Sequence, residues 1–481
     1  METLKIGLVS SSQLSFFGDK AGRYAVYAQQ MEQLGRELGF DLYIHPGTVI
    51  TPDEARAAVR ALEAEQVDFI LLQCTSYSAG TLAPIFARAR AALGLWAIPE
   101  HGQSGPVLFN SFCSINMYSG IIGHYLKDYK IPIKWFYGDV DDRLFIDRLQ
   151  ITVRALRAIK RMRHAKVALV GGIAPGFDDL YDDERKLIRL FDGMQINRLH
   201  EYSEVRDRAV AYSQEQVSAE MEKLSAAANG VFDQRARLAL ETNARFSLAY
   251  DDFVKEYGYD ALAVSCWPKF QNEFTYSVCA VVAGLNDKGI PTACEGDLTS
   301  AISMLLLKYI AGDVCTLMDM SAFDREDDTV LMWHCGPTAS RFCQKGGYQL
   351  SVNYTGMAHP EGSTEPFGCG VVRDLVCDPG QMTIGRIYGE ADQLLVAGGS
   401  FLGDVKPSFC GSRGWMGDLT LNRKPISALD LVNTLLVQRF AHHYPIVPGD
   451  YTKELMEAMG WLGLKPVKAV PYEDYLQSPE E

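Results

Sequence analysis

Two acidic residues in the middle of the chain have the setting of a shared ligand site. Glu295 follows the apolar run Ile290–Cys294, and Asp319 follows the apolar run Val314–Met318. Short apolar runs bounded by turn or polar residues are typical of buried strands in a sheet that is covered on both faces. In open α/β sheets, ligands bind at the carboxyl ends of the strands. We therefore expect both carboxylates at one sheet edge, where they could hold a divalent cation or share proton transfer.

Three of the nine histidines are candidates for the same site. His334 lies in the sequence WHCG, and His442 and His443 are adjacent near the C-terminus. A mixed set of carboxylates and imidazoles suits Mn²⁺, Mg²⁺, Co²⁺ or Fe²⁺ and does not resemble a closed zinc site. Each residue also has a plainer interpretation: Asp319 as a helix cap, His334 as a hydrogen-bonded core residue, and the histidine pair as surface residues. Spacing alone leaves both interpretations open.

Other kinds of active site have less support in the sequence. His334 precedes Cys335, but adjacency along the chain does not place an imidazole on a sulfur, and the G-x-S-x-G elbow of serine hydrolases is absent. The pair Gly171-Gly172 lacks the spacing and the lysine of a phosphate loop, which favours a simple turn between a strand and a helix.

The elements that must position these residues alternate between strands and helices. In the first part of the chain we predict strands at Leu4–Ser10, Asp41–His45, Val67–Leu72 and Ile133–Tyr137, and helices at Tyr24–Leu38, Pro52–Glu65, Gly80–Leu93 and Asp141–His164. A second series has strands at Lys166–Val170, Ala261–Cys266, Ile290–Cys294 and Val314–Met318, and helices at Arg206–Ala227, Arg235–Tyr257 and Leu298–Ile310. Asp297 is placed as the N-cap of the last of these helices. Such alternation predicts parallel, doubly wound sheets.

The last third of the chain has a different pattern. Short strand candidates separated by Gly, Pro and Asp lie at Tyr348–Tyr354, Gly370–Cys377, Gln381–Tyr388 and Gln393–Ala397. Glycine-rich loops are predicted at Gly398–Ser400 and Gly411–Gly417, and helices at Ala428–Phe440 and Tyr451–Leu462. The predicted fold is therefore α/β, with two Rossmann-like doubly wound domains (residues 1–160 and 161–330) and a C-terminal antiparallel β-rich domain (residues 331–481) with terminal helices.

Composition excludes several classes of partner. The net charge of −14 disfavours nucleic acid, which requires a basic surface. No apolar run reaches the roughly 18 residues of a membrane span, and the N-terminus does not have the pattern of a signal peptide, so we expect a cytoplasmic protein. The chain has eleven cysteines and no C-x-x-C pair. We therefore expect Cys266, Cys279, Cys294 and Cys315 to be buried free thiols in a reducing compartment.

Five short motifs occur in a fixed order along the chain. They are Cys266-Trp267-Pro268, Ala293-Cys294-Glu295-Gly296-Asp297, Asp319, Trp333-His334-Cys335-Gly336 and His442-His443. Together they resemble the L-fucose isomerase and L-arabinose isomerase superfamily, and more closely its short fucose isomerase-like branch. The resemblance covers most of the chain, is clearest from Asp260 to Gly336 and around Gly411–Asp450, and is thin in the first 160 residues.

The resemblance implies an enzyme of carbohydrate metabolism that interconverts an aldose and a ketose with a divalent metal, usually Mn²⁺. It implies that Glu295 and Asp319 bind the metal and act as the acid/base pair, and that His443 completes the metal set, with His442 as the close alternative. His334 is assigned beside the metal or to the substrate. It further implies two Rossmann-like domains, a C-terminal β domain, and trimers or hexamers in which one subunit closes its neighbour's site.

The residue types suit this chemistry. Proton movement between C1 and C2 of an open sugar passes through an ene-diolate, whose negative charge a chelated metal stabilises as a Lewis acid. A carboxylate removes the proton from one carbon, and the same or the facing carboxylate returns it to the other. Four more side chains are candidates for contacts with the sugar: Trp267, Gln271, Arg413 and Trp415.

Two other functions use similar parts. One is a non-catalytic sugar-binding module, because paired Rossmann-like domains with a cleft also describe sugar receptors. The other is a metal-dependent sugar epimerase or lyase that uses the same ene-diolate. The sequence does not identify the sugar: a deoxy-hexose, a pentose such as D-arabinose, and a hexose with an acidic substituent such as a sulfonate at C6 all suit the core chemistry.

Overall fold

The computed structural model describes residues 3–16, 18–20, 22–181, 183–229, 234–274, 276–357, 368–403 and 405–479. The chain divides into two compact units, Met1–Lys160 and Arg161–Glu481. None of the helices in the described residues is both long and apolar enough to cross a membrane. The candidate residues from Glu295 onward all belong to the second unit.

The first unit contains a parallel sheet with helices between its strands. The strands are β1 (Leu4–Ser11), β2 (Phe40–Val49), β3 (Phe69–Cys74), β4 (Ala92–Ala97) and β5 (Ile133–Tyr137), in the order β2-β1-β3-β4-β5. The helices are α1 (Arg23–Leu38), α2 (Pro52–Ala64), α3 (Ala83–Ala87), α4 (Ser111–Tyr125) and α5 (Arg143–Arg163), the last of which contains the boundary between the units.

The predicted helix Gly80–Leu93 is wrong. The segment forms a 3₁₀ turn and the short α3, and strand β4 then begins at Ala92. The apolar run ALGLWA lies between β3 and β5 and is almost entirely buried. A short buried strand of this kind has no polar alternation, so its periodicity does not distinguish it from a buried helix.

The second unit begins with another parallel sheet. Its strands are β6 (Lys166–Val170), β7 (Gln195–His200), β8 (Ala261–Val264) and β9 (Thr292–Ala293), in the order β7-β6-β8-β9. Its helices are α6 (Glu184–Leu190), α7 (Tyr202–Ala211), α8 (Gln214–Ala227), α9 (Gln234–Tyr257), α10 (Lys269–Phe274), α11 (Cys279–Asp287) and α12 (Leu298–Ala311). The N-cap prediction is confirmed, because the Asp297 carboxylate accepts a hydrogen bond from Ser300 N at 2.8 Å.

An antiparallel region follows. Its strands are β10 (Thr316–Asp324), β11 (Thr329–His334), β12 (Gln349–Met357), β13 (Gly368–Val376), β14 (Gly380–Tyr388), β15 (Gln393–Phe401), β16 (Ser412–Leu421), β17 (Lys424–Pro425), β18 (His443–Pro448) and β19 (Lys465–Pro466). The order β16-β11-β10-β18-β14-β15 closes on itself through pairing of β15 with β16, which forms an antiparallel barrel. Helices α13 (Ala428–Val437) and α14 (Thr452–Leu462) complete the unit.

The fold is therefore mixed α/β with parallel sheets and a C-terminal antiparallel barrel. The count of two Rossmann-like domains and the division at residues 160 and 330 stay predictions. The placement of Asp319 at the end of a parallel strand is wrong. Strand β10 pairs antiparallel with β11 and β18, and Asp319 lies within it opposite Trp333 and His443. An acidic residue after an apolar run is typical of the end of a strand. Asp319 instead lies inside β10, and its side chain points towards the candidate site.

Both predicted glycine-rich loops are wrong, because the two segments lie mostly in strands. Gly398–Ser400 lies in β15, and most of Gly411–Gly417 lies in β16. A Cβ atom at Gly399 would lie 2.8 Å from Gly417 O, and one at Gly414 would lie 2.7 Å from the Phe401 ring. These glycines permit close packing inside the barrel, which is a known use of glycine in strands.

Candidate functional site

Glu295 is held in a strained turn between β9 and α12. Its φ of 60° lies in the left-handed region, and Gly296 follows with a φ of 77°. The turn is fixed from two sides, because Glu295 O accepts a hydrogen bond from Ala174 N at 2.9 Å and Gly296 N donates to Val264 O at 3.0 Å. Non-glycine residues in this region cost roughly 1–3 kcal/mol and cluster at functional sites. The turn directs the Glu295 side chain towards the histidine pair.

The two adjacent histidines both approach the Glu295 carboxylate. Oε2 of Glu295 lies 3.1 Å from His442 Nε2 and 3.3 Å from His443 Nε2. Burial alone would raise the pKa of Glu295, but the hydrogen bonds from His442 and His443 outweigh burial and hold it well below its usual range. Glu295 is therefore an ionised carboxylate at neutral pH.

Each histidine of the pair has a carboxylate on its other ring nitrogen. His443 Nδ1 lies 2.9 Å from Asp297 Oδ2, and His442 Nδ1 lies 2.8 Å from Asp179 Oδ2. A carboxylate on Nδ1 keeps a proton there, so Nε2, which donates to Glu295 here, is the atom that would lose its proton to bind a metal. Both rings are thus oriented with Nε2 towards Glu295.

A buried ion pair fixes the support of His443. Arg386 Nη1 lies 2.7 Å from Asp297 Oδ2, and the side chains of Arg386, Asp297 and His443 are at most 1% exposed. Burial would raise the pKa of Asp297, but the Arg386 charge and the His443 hydrogen bond hold it well below its usual range. Asp297 therefore caps α12, pairs with Arg386 and orients His443 at the same time.

Asp319 is the second predicted carboxylate, and it lies in β10, the strand that pairs with the His443 strand β18. Its Oδ1 lies 3.7 Å from His443 Nε2, is buried, and makes no hydrogen bond to any part of the chain that the structure describes. A buried carboxylate oxygen without a donor is unfavourable, and a cation between it and His443 would compensate for this cost.

The third histidine has a different tautomer. Cys335 N donates to His334 Nδ1 at 2.8 Å, so Nδ1 is the acceptor and the ring proton is on Nε2. That Nε2 faces Cys294 Sγ at 2.9 Å, and burial lowers the pKa of His334, which keeps the ring neutral. A protonated Nε2 is a hydrogen-bond donor and not a metal ligand. His334 is thus suited to donate to a neighbouring group or substrate, although it lies close enough to be grouped with Cys294, Glu295 and His443 as a possible metal site.

The donor set fits a hard divalent cation. Four carboxylates lie near the histidine pair: those of Asp179, Glu295, Asp297 and Asp319. In the contacts above, Arg386 is paired with one of them, Asp297. Burial would lower the pKa of His443, but hydrogen bonds to Asp297 and Glu295 raise it to about 10. The surroundings of Nε2 thus favour a positive charge strongly. Oxygen and imidazole donors suit Mn²⁺, Mg²⁺ or Co²⁺. Among the described residues, two groups could hold one: Cys294, Glu295, His334 and His443, and Asp319, His442 and His443.

Asp179 is a functional candidate that the sequence prediction missed. It lies in a 3₁₀ turn, Asp178–Leu180, beyond the glycine pair that ends β6. The loop from β6 meets the Glu295 turn so closely that a Cβ atom at Gly296 would lie 2.3 Å from Gly172 O. The available signal was the position of Gly171-Gly172 at the carboxyl end of a strand, which was interpreted only as a turn.

The four predicted sugar contacts lie in different surroundings. Gln271 is buried, donates from Nε2 to Cys266 O at 3.1 Å, and has an Oε1 atom without a hydrogen-bond partner among the described residues; Trp267 nearby is half-buried. Arg413 binds Asp374 and donates to Gly411 O, and Trp415 is buried and donates to Pro407 O at 3.1 Å. The structure does not place Arg413 or Trp415 in contact with the Glu295 cluster, and the substrate roles of all four stay predictions.

Comparison with known proteins points to one class of enzyme. No family model matches the chain. Proteins from Priestia aryabhattai and Priestia megaterium (strain ATCC 12872 / QMB1551), each named sulfoquinovose isomerase, are 26% identical over 432 residues, which is 87% of this chain and 91% of theirs. One from Alkalicoccus urumqiensis with the same name is 26% identical over 417 residues, or 85% of this chain and 87% of its own.

Among solved structures, the likeness is too weak to carry an argument about fold. GanP, a glucose-galactose binding protein from Geobacillus stearothermophilus, is 14% identical and covers 65% of this chain and 93% of its own, with a TM-score of 0.17.

A fourth relative, from Clostridium sp. (strain MSTE9), has the same name and is 27% identical over 338 residues. The four relatives support an isomerase enzyme, and a sugar isomerase in particular. Membership of the fucose and arabinose isomerase superfamily stays a prediction.

Proposed function

We propose that this chain is a metal-dependent aldose–ketose isomerase whose substrate is sulfoquinovose, a hexose that carries a sulfonate at C6. The observation that carries the chemistry is the convergence of Glu295 Oε2, the Nε2 atoms of His442 and His443, and the unpartnered Asp319 Oδ1. The relatives named sulfoquinovose isomerase support the choice of sugar. Sulfoquinovose is one of the hexoses with an acidic group at C6 that suit the aldose–ketose chemistry of this site.

The chain's own residues have separate tasks in this proposal. Glu295 is ionised and 15% exposed, so it can accept a proton from a sugar carbon and return it. Asp319 in β10, whose Oδ1 lies 3.7 Å from His443 Nε2, is the proposed second carboxylate of the acid/base pair. His334 carries a proton on Nε2 and can donate a hydrogen bond to a sugar oxygen. Asp297 and Asp179 hold the rings of His443 and His442 in place.

A divalent cation, Mn²⁺ in the first instance, would add Lewis-acid stabilisation of the negative charge that develops on two adjacent sugar oxygens. Glu295, Asp319 and His443 are its proposed ligands, with His442 as a further one. This assignment is supported by the Glu295 and Asp319 carboxylates near His443 Nε2 and by Asp297, which holds Nδ1 of the same ring.

We also infer a homo-oligomer with active sites at subunit interfaces, because the resemblance to the fucose isomerase-like branch implies trimers or hexamers. Light scattering on the purified protein measures the assembly directly. A monomer that isomerises sugar at full rate would contradict this part of the proposal without affecting the assignment of the chemistry.

The function is tested by identifying the product. Purified protein with Mn²⁺ is incubated with sulfoquinovose, with L-fucose and D-arabinose as comparison sugars, and the products are identified by NMR. The proposal expects the ketose isomer of sulfoquinovose as the main product. A C2 epimer or cleavage products would identify an epimerase or a lyase, and tight binding without turnover would identify a sugar-binding module; each result would overturn the isomerase.

A further inference from the structure

The side chains of Cys279 and Cys335, which belong to separate elements, lie in contact beside His334. Cys279 is the first residue of α11, and Cys335 follows the last residue of β11. Their Sγ atoms lie 3.3 Å apart, and both side chains are free thiols. A disulfide has a bond length of about 2.0 Å, so the sulfurs would have to approach by roughly 1.3 Å to form one.

The surroundings of Cys279 favour its thiolate. Asn353 Nδ2 donates to Cys279 Sγ at 3.6 Å, and Ser277 Oγ lies 3.3 Å from the same sulfur. The hydrogen bond from Cys335 lowers the pKa of Cys279, whereas the pKa of Cys335 is raised well above its ordinary value. Cys279 is 5% exposed and Cys335 is half-buried, so the pair places a sulfur with a lowered pKa beside a more accessible thiol that can resolve it.

The pair is coupled to the candidate active site through one residue. Cys335 Sγ lies 3.1 Å from His334 Nδ1, and Cys335 N donates to the same atom. The His334 ring faces Cys294 and stacks on the His443 ring with a centroid distance of 5.7 Å. A change in the position of Cys335 would therefore change the tautomer or orientation of His334.

We propose that Cys279 and Cys335 are a modification site that hydrogen peroxide converts into a disulfide, and that this disulfide slows the enzyme by displacing His334. The Cys279 thiolate attacks the peroxide, so that the S–O bond forms as the O–O bond breaks and hydroxide leaves. The Cys335 sulfur then attacks Cys279, the S–S bond forms as the S–O bond breaks, and a second hydroxide leaves and takes up the thiol proton. Overall, two thiols lose two electrons and two protons, and the peroxide is reduced to two molecules of water. A dithiol reductant reverses the reaction.

The cross-link is mapped on the full chain by mass spectrometry. Protein is treated with hydrogen peroxide, cleared of oxidant, alkylated without reduction and digested. A peptide pair joined through Cys279 and Cys335, absent after dithiothreitol, is the expected result. Linkage of either residue to Cys294 or Cys266, or oxidation of the pair only to sulfinic acids, would overturn the proposal. This result does not depend on the proposed function.

The effect on turnover rests on the proposed sugar isomerase activity. We expect peroxide to lower kcat by about tenfold, the size of effect seen when groups that orient an active site are disturbed, with recovery after dithiothreitol. Cys279→Ala should keep the basal rate and lose the sensitivity to peroxide. Cys410→Ala, which removes an exposed thiol, is the matched control and should stay sensitive. Inhibition that persists in Cys279→Ala would contradict the proposal, whereas absence of turnover in every sample, with the cross-link present, would count against the proposed function instead.

Discussion

Oε2 of Glu295 and Nε2 of His443 lie 3.3 Å apart, although Glu295 follows a parallel strand and His443 begins a strand of the antiparallel barrel. Asp297 holds the opposite nitrogen of His443 and also caps the helix that follows Glu295. The turn that carries Glu295 is therefore tied to Asp297, the residue that orients His443. Substitutions on the Glu295 side and on the His443 side of this contact should have distinct effects on metal affinity and on the free energy of unfolding.

The tautomers of the three histidines predict which of them affect metal affinity. His443→Gln should weaken Mn²⁺ binding by more than about 10-fold, since it removes an Nε2 ligand oriented by Asp297. His334→Gln should leave Mn²⁺ binding almost unchanged and raise KM, because its Nε2 carries a proton and faces Cys294. The free Mn²⁺ signal in electron paramagnetic resonance titrations measures both affinities. Equal losses in the two variants would show that His334 is a ligand.

Asp297→Asn tests the buried support of His443. The variant leaves Arg386 buried without its partner, and we expect the free energy of unfolding to fall by about 3–5 kcal/mol and Mn²⁺ affinity to fall about 10- to 100-fold. Asp183→Asn is a matched control, because Asp183 caps α6 at a half-buried position and asparagine caps a helix equally well. Urea unfolding and metal titration of both variants are the measurements. A stability of Asp297→Asn equal to that of the control would contradict the account.

Gly296→Ala tests the close contact that shapes the Glu295 turn. The added Cβ would lie 2.3 Å from Gly172 O, at a φ of 77° that alanine disfavours. Gly172→Ala has a similar φ of 82° but no atom within 4 Å of the added Cβ. We expect about 1–2 kcal/mol of destabilisation for Gly172→Ala from conformation alone, and a larger loss with weakened Mn²⁺ binding for Gly296→Ala. Similar unfolding curves would mean that the contact is not important.

Asp179→Asn should separate the two histidines of the pair. Asp179 binds His442 and makes no contact with His443 among the interactions described above, so the variant should reduce kcat or metal affinity less than His443→Gln does. We expect a loss of no more than about tenfold, the lower end of the range for residues that orient a ligand. Mn²⁺ titrations and steady-state rates on sulfoquinovose measure it. A loss as large as that of His443→Gln would show that the support of His442 is as important as His443 itself, which contradicts this prediction.

Much of the local structure could be predicted from the sequence, because periodicity and caps are local signals. The helix that follows Asp297 is an example, since its N-cap and its apolar face are both written in neighbouring residues. The apolar run before Asp319 was also identified. Its pairing was not, because antiparallel pairing with β11 and β18 depends on residues far along the chain.

The site shows the same division between local and long-range information. Glu295, Asp319, His334, His442 and His443 could be named as candidates because acidic and imidazole groups are identifiable by type. Asp179 and Arg386 could not, since a glycine pair after a strand predicts only a turn in the loop that holds Asp179, and a lone arginine in a strand carries no pattern. Only the folded chain shows that Asp179 contacts the His442 ring and that Arg386 donates to His443 O.

The central claim is tested most directly by metal reconstitution with sulfoquinovose as substrate. Protein stripped with EDTA, with its metal content verified by mass spectrometry, is assayed before and after addition of Mn²⁺, alongside Glu295→Gln. We predict that stripped protein loses ketose formation and regains it with Mn²⁺, and that folded Glu295→Gln stays inactive at every Mn²⁺ concentration. Full activity in metal-free protein, or normal turnover by Glu295→Gln, would contradict the account.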